Sequence, residues 1–188
     1  MIRLFAAIFF LIFSFCTFAQ NFYEYKPNKN YDNDTLTLKF IPFHNNKTIT
    51  YVDKNGKDYW IYNYLESYRE KYVIYKDKKM NANHVEKFGT INNFLVAYDP
   101  EEDHKYETYW PLDAKIGDTW KGRFIYFDIT ATLKEFGDVL INNSTKKYAK
   151  ISFVDKRTNK EGYAIFVENV GLIEFKLSYQ YLRLKNFN

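Results

Sequence analysis

From Thr35 onward, apolar and polar residues alternate with a period of two, and strand-forming residues are dense. "TLTLKF" puts Leu36, Leu38 and Phe40 on one face of a strand over Thr35–Phe40, which Pro42 ends or leaves at an edge. "TITYV", "DKNGKD" and "YWIYNY" form a hairpin, with Asn55-Gly56 supplying the positive φ angles of a tight primed turn. The same pattern predicts strands at Lys71–Lys76, Thr90–Tyr98, Tyr106–Trp110, Gly122–Glu135, Lys147–Val154, Gly162–Val167 and Gly171–Leu184. Their separators ("KDKKMN", "YDPEED", "DAKIGD", "EFGD", "DKRTNKEG", "VENVG") carry turn chemistry.

Only Tyr62–Tyr72 offers a helical alternative. There Tyr62, Leu65, Tyr68 and Tyr72 share a face at three- and four-residue steps, opposite Glu66, Arg69, Glu70 and Lys71. The segment reads equally as one short helix or as a strand break. "ITYVDKNGKDYWI" at Ile49 resembles "ISFVDKRTNKEGYAI" at Ile151; a duplicated half is one reading, but the likeness stops after one turn, which favours one hairpin grammar used twice. The expected fold class is all-β, an antiparallel meander forming an open barrel or half-barrel with at most one short helix.

"MIRLFAAIFFLIFSFCTFA" has an Arg near its start, an unbroken apolar stretch over Leu4–Phe13 and small residues at Thr17 and Ala19. That is the grammar of a secretory signal peptide over residues 1–19, cut between Ala19 and Gln20. A membrane anchor would need about 20 apolar residues, and the run is shorter. Lipidation at Cys16 is disfavoured because Phe15 is large where a small residue is wanted. Residues 20–34, "QNFYEYKPNKNYDND", are polar with scattered aromatics and read as a flexible N-terminal segment, leaving residues 35–188 as a single β domain. The only Cys lies in the leader, so the exported chain is held by packing without disulfides. That pattern points to a bacterial periplasm or cell surface. The sequons at Asn33, Asn46, Asn142 and Asn143 then read as chance matches. No later stretch is long and apolar enough for a transmembrane helix.

The formal net charge of +4 speaks to solubility and points away from nucleic acid. Of the 27 basic residues only five are Arg, the residue that phosphate and base recognition favour. No G-x-S-x-G, H-E-x-x-H, C-x-x-C or G-x-x-x-x-G-K-[ST] occurs, so no catalytic residue, metal ligand or cofactor site is expected. His44, His84 and His104 form no ligand-spaced pair. "DPEEDH" at Asp99–His104 has oxygen ligands enough for a hard cation, but reads more simply as an acidic hairpin tip. "DKNGKD" places its Gly too early for a calcium loop.

Aromatic residues remain: 18 Tyr, 18 Phe and three Trp, six of the Phe in the leader. "YWIYNY" spreads Trp60, Tyr62 and Tyr64 down one face of a strand, either buried or offered as a platform to a ligand. In "YWPLDAKIGDTWKG", Tyr109-Trp110 end a strand, Pro111 cannot extend its ladder, Gly117-Asp118 turn the chain and Trp120 begins the next strand. That stretch reads as a joint pinned by two indoles. The candidate binding residues are therefore Trp60, Tyr62, Tyr64, Trp110 and Trp120.

"PLDAKIGDTW", "FIYFDITATL", "KKYAKISF" and "YAIFVENVGLIEFKLSYQYLRL" together resemble an exported bacterial group of domains of unknown function, the TapB-like group, over roughly residues 40–184. Gly117 and Trp120 match its Gly-x-x-Trp opening, and Val170, Gly171, Leu172 and Ile173 match its late motif. The resemblance implies an all-β exported domain with no catalytic residues to carry over. A Pro-Ala-Gly-like turn of the group is replaced here by "DVLINNS", which leaves the connection over Asp138–Ser144 open.

The expected function is an exported, non-catalytic binding or envelope-associated module for an apolar small molecule or an envelope protein. The rival readings are a structural subunit of a larger envelope complex, or a hydrolase using a carboxylate pair that sequence spacing cannot reveal.

Overall fold

The computed structural model describes residues 23–41, 48–66, 71–77, 82–98, 106–124, 127–177 and 180–187. The expected leader, His44 and the acidic "DPEEDH" lie outside them. Among the described residues thirteen strands share one antiparallel sheet: β1 Tyr25–Pro27, β2 Thr48–Val52, β3 Asp58–Glu66, β4 Lys71–Asp77, β5 Ala82–Ile91, β6 Phe94–Tyr98, β7 Tyr106–Pro111, β8 Thr119–Phe124, β9 Phe127–Ile141, β10 Ser144–Asp155, β11 Glu161–Val167, β12 Gly171–Leu177 and β13 Gln180–Phe187. The protein is an all-β open meander.

Across the sheet the order is β8-β9-β10-β11-β12-β13-β2-β3-β4-β5-β6-β7, with β1 on the same edge of β9 as β8. The meander bends until its two ends, β7 and β8, lie side by side. No ladder joins them among the described residues, so the sheet stays open along that seam. The seam is the "YWPLDAKIGDTWKG" joint. Pro111 ends β7 opposite Phe94, Gly117 has φ +97°, the Lys115 amide donates to Asp118 Oδ2, and the Gly117 amide donates to the Leu133 carbonyl.

Three expected long strands are hairpins. Thr90–Tyr98 breaks at Asn92-Asn93 (φ 48° and 66°), and the open connection before Ser144 is a tight turn on Asn142-Asn143 (φ 49° and 61°). Asn tolerates the left-handed region that a two-residue primed turn requires at both positions. Gly122–Glu135 is split between β8 and β9, closing at Phe124 against Phe127, and Gly171–Leu184 between β12 and β13, closing at Leu177 against Gln180. Period-two alternation runs on through such tight connections, and the pattern alone does not reveal them.

The Asn55-Gly56 turn differs in type from the expectation. Only Gly56 has positive φ, 77°, and its amide bonds the Asp53 carbonyl, giving a turn that ends in a bulge. Asp53 Oδ1 accepts from the Asn55 amide, just as Asp155 Oδ1 accepts from the Arg157 amide at the β10–β11 loop. The two similar stretches are thus one Asp-opened hairpin used twice. Of the segment that offered a helix, the described residues are strand, β3 running to Glu66 and β4 starting at Lys71, while residues 67–70 lie outside the described residues.

Two corrections concern the N-terminal end. Thr35–Phe40 is not a strand; Thr37 caps a single 3-10 turn over Leu38–Phe40, while Leu36 and Phe40 are fully buried. Their side chains plug the core without needing a ladder. Residues 23–34, expected to be flexible, are built into the fold. β1 pairs with β9, and the Tyr31 hydroxyl and Asn28 amide donate to the two oxygens of Asp138. Lys147 pairs with Asp34 and lies 4.8 Å and 4.6 Å from the Tyr31 and Phe136 ring centres. Polar side chains supply this anchoring, which hydrophobic patterning does not register.

Candidate functional site

One face of the β9–β12 region is buried and the other is partly buried, and each carries an aromatic cluster. The first lies behind the seam. β7 contributes Tyr109 and Trp110, β8 Trp120 and Phe124, β9 Ile129 and Ala131, β10 Ile151 and Phe153, and β11 Ala164 and Phe166. Together they line an apolar crevice of about 210 Å³ of empty space, part of it open to solvent, whose enclosed part has room for about one water.

Register explains the crevice. Ala131 stands directly between Trp120 and Phe153 on the neighbouring strands, and Ala164 stands between Ile151 and Phe175. Small residues between large ones leave space that rings roof over. Phe124 packs against Tyr109, Phe166 and Phe175 at centroid separations of 5.3, 5.6 and 5.5 Å, and Trp110 meets Phe166 edge-on at 4.9 Å.

Two of the expected binding residues, Trp110 and Trp120, therefore meet in one place. Both are buried, 1% and 7% exposed, so they wall the crevice and offer no open platform. Their indoles are not equivalent. Trp120 Nε1 donates to the Tyr109 carbonyl at 2.9 Å and bridges the seam. Trp110 Nε1 is buried without a hydrogen-bond partner, an arrangement that costs about 1–3 kcal/mol. Trp60, Tyr62 and Tyr64 sit on β3, where Trp60 pairs with Tyr51 and Tyr62 with Ile49, away from the seam in strand order; their side chains lie outside the described residues. The sequence reading missed Tyr109, Phe124 and Phe166. The Trp110-adjacent Tyr109 and the alternation of "YAIFV" were the available signals.

The opposite face carries tyrosines tied to carboxylates. Glu174 accepts from the Tyr25 hydroxyl at 2.7 Å and from the Tyr163 hydroxyl at 2.6 Å, and Glu135 accepts from Tyr148 at 2.8 Å. Lys150 Nζ lies 3.8 Å from Glu135. β1 and β12 are four places apart, about 19 Å in a flat sheet, so the Tyr25–Glu174 bond requires strong curling toward this face. Burial, reinforced by the neighbouring carboxylate, pushes the Tyr25, Tyr148 and Tyr163 phenols well above the usual tyrosine range. They stay protonated and act as donors. With both Glu174 oxygens engaged, this cluster works as a clip that holds the N-terminal strand over the sheet.

No group of His, Cys, Asp or Glu among the described residues is arranged to hold a metal ion. No helix among them is long and apolar enough to cross a membrane. No family model, curated protein or solved structure matches the chain.

Proposed function

We propose that the protein is an exported, non-catalytic binding module whose site is the aromatic crevice behind the β7–β8 seam and whose ligand is an apolar small molecule. One observation carries the reading. The crevice brings two of the three tryptophans together around Ala131 and Ala164, with an unladdered strand junction as its outer wall. Small-molecule sites are lined predominantly by apolar and aromatic side chains, as this crevice is. The enclosed space is smaller than such sites usually have, so binding requires the seam to part.

Native mass spectrometry of the protein, purified without detergent from the cells that make it, tests both halves of the proposal. The expected result is a chain beginning at Gln20 and carrying a small-molecule adduct. A chain that retains its leader overturns export. A bare chain whose tryptophan emission is also unmoved by heptane overturns the binding reading.

A further inference from the structure

We propose that the crevice takes a single unbranched alkyl chain, and that Ala131 and Ala164, the two low points of its floor, select for that shape. This rests on the crevice being the binding site and names its ligand class.

The chemistry follows from the lining. Every lining residue is aromatic or aliphatic, and the surface left open between them is wholly apolar. A polar or charged group placed there would lose its hydration and find no partner, so only hydrocarbon belongs inside.

The shape follows from register. The floor is the β9–β10–β11 part of the sheet, and its ladders keep it intact when the β7–β8 side gives way. Phe153 stands opposite Ala131, and Ile151 stands opposite Ala164. The two alanines therefore lie two strands and one two-residue step apart, about 12 Å along the sheet. The β10 ring between them leans away from Ala131. A Cβ on Gly162 would lie 2.6 Å from Phe153 Cε2, and Phe153 stacks on Phe175 at 5.6 Å, which leaves space over Ala131 beside Trp120. An extended chain reaches both low points. A compact molecule of equal carbon count fills one and leaves the other without dispersion contacts.

Such a chain belongs either to a free hydrocarbon or to a lipid whose head group stays in water at the seam. The test uses the full protein and follows tryptophan emission during titration with heptane, with its compact branched isomer triptane, and with heptanol. Heptane is expected to bind about tenfold more tightly than triptane, the discrimination a close-fitting apolar pocket gives against misplaced methyl groups. Ala131→Val and Ala164→Val each fill one low point and should each weaken heptane about tenfold with unchanged circular dichroism. Ala131→Gly deepens the floor and should narrow the gap between the isomers. Heptanol bound as tightly as heptane assigns the chain to a lipid tail, and heptanol bound more weakly assigns it to a free hydrocarbon; the alkyl slot stands in both cases.

Isomers of equal affinity overturn the selection for an unbranched chain while leaving the binding module intact. Valine variants that bind heptane as the wild type does overturn the role of the two alanines. If neither isomer moves the tryptophan emission, the proposed function itself fails. Should the valine variants not fold, the isomer ratios of the wild type and of Ala131→Gly decide the question.

Discussion

At Gly122, β8 lies close against β7. A Cβ there would lie 2.3 Å from the Thr108 carbonyl oxygen and 3.2 Å from its carbon, whereas ordinary contact starts at 3.4 Å. The obstructing atoms are backbone, so no rotamer change relieves Gly122→Ala; β7 must retreat by about 1 Å. Overpacking of this kind costs about 1–3 kcal/mol, and the stiffer unfolded chain returns about 0.4–1 kcal/mol. The expected net loss of about 1–2 kcal/mol corresponds to a Tm lowered by about 2–8 °C for a chain of this size. The same retreat stretches the 2.9 Å bond from Trp120 to Tyr109 two residues away, so tryptophan emission should shift toward that of a wetter indole. Thermal melts followed by circular dichroism, together with emission spectra, measure both effects. Gly56→Ala is the control: it meets nothing within 4 Å but has φ +77°, so it should lower Tm through backbone strain with emission unchanged. A Gly122→Ala protein that melts at or above the wild-type temperature with unchanged emission would refute the close-packed seam.

Stability should fall as pH rises. Tyr25, Tyr148 and Tyr163 have folded-state values raised above the ordinary tyrosine value of 10.0, so their contribution is complete below that pH and is lost as pH climbs through the folded values. Alkaline titration should show phenolate appearing together with unfolding; complete ionisation near pH 10 in a folded protein would contradict this. Asp155→Ala should lower Tm more than Asp53→Ala, because Asp155 is buried and holds both the Arg157 amide and the Thr158 hydroxyl, whereas the Asp53 bonds are exposed. The reverse order in thermal melts would show that the β10–β11 loop does not depend on its Asp. At the turn with Asn143 at φ 61°, Asn143→Gly should exceed Asn143→Ala in stability by about 1 kcal/mol, or about 2–4 °C in Tm, and equal melting points would count against the left-handed backbone there. Lys147→Met should leave the ring contacts of Phe136 and Tyr31 apolar but release Asp34, hastening limited proteolysis around residues 28–34; unchanged cleavage would show the segment held by β1 and the Asp138 bonds without the Lys147–Asp34 pair.

Much of the architecture was legible along the chain. Period-two alternation marks strands because successive side chains leave a strand on opposite faces, and Pro111, Gly117 and the Asp-opened loops mark joints because their backbones admit few alternatives. The Asn-Asn turns were equally local, though less conspicuous than an Asn-Gly pair. The candidate site was legible only in part. Trp110 and Trp120 stand out as residues, and a joint between two strands brings them together within a short stretch of chain.

Everything else about the site is a matter of register and curl. That Ala131 falls between Trp120 and Phe153, leaving a crevice, depends on how three strands slide against one another. That Trp110 Nε1 has no partner depends on which atoms the rest of the sheet places around it. The Tyr25–Glu174 bond joins residues 149 positions apart and gives the N-terminal segment, whose polar sequence reads as loose, a fixed place on the sheet. Local sequence determines the periodicity and turns of the individual strands, because those depend on a residue and its near neighbours. Which faces meet, where space is left and which polar atoms go unpaired are decided only when distant strands close on one another, because burial and hydrogen-bond satisfaction are properties of the packed whole.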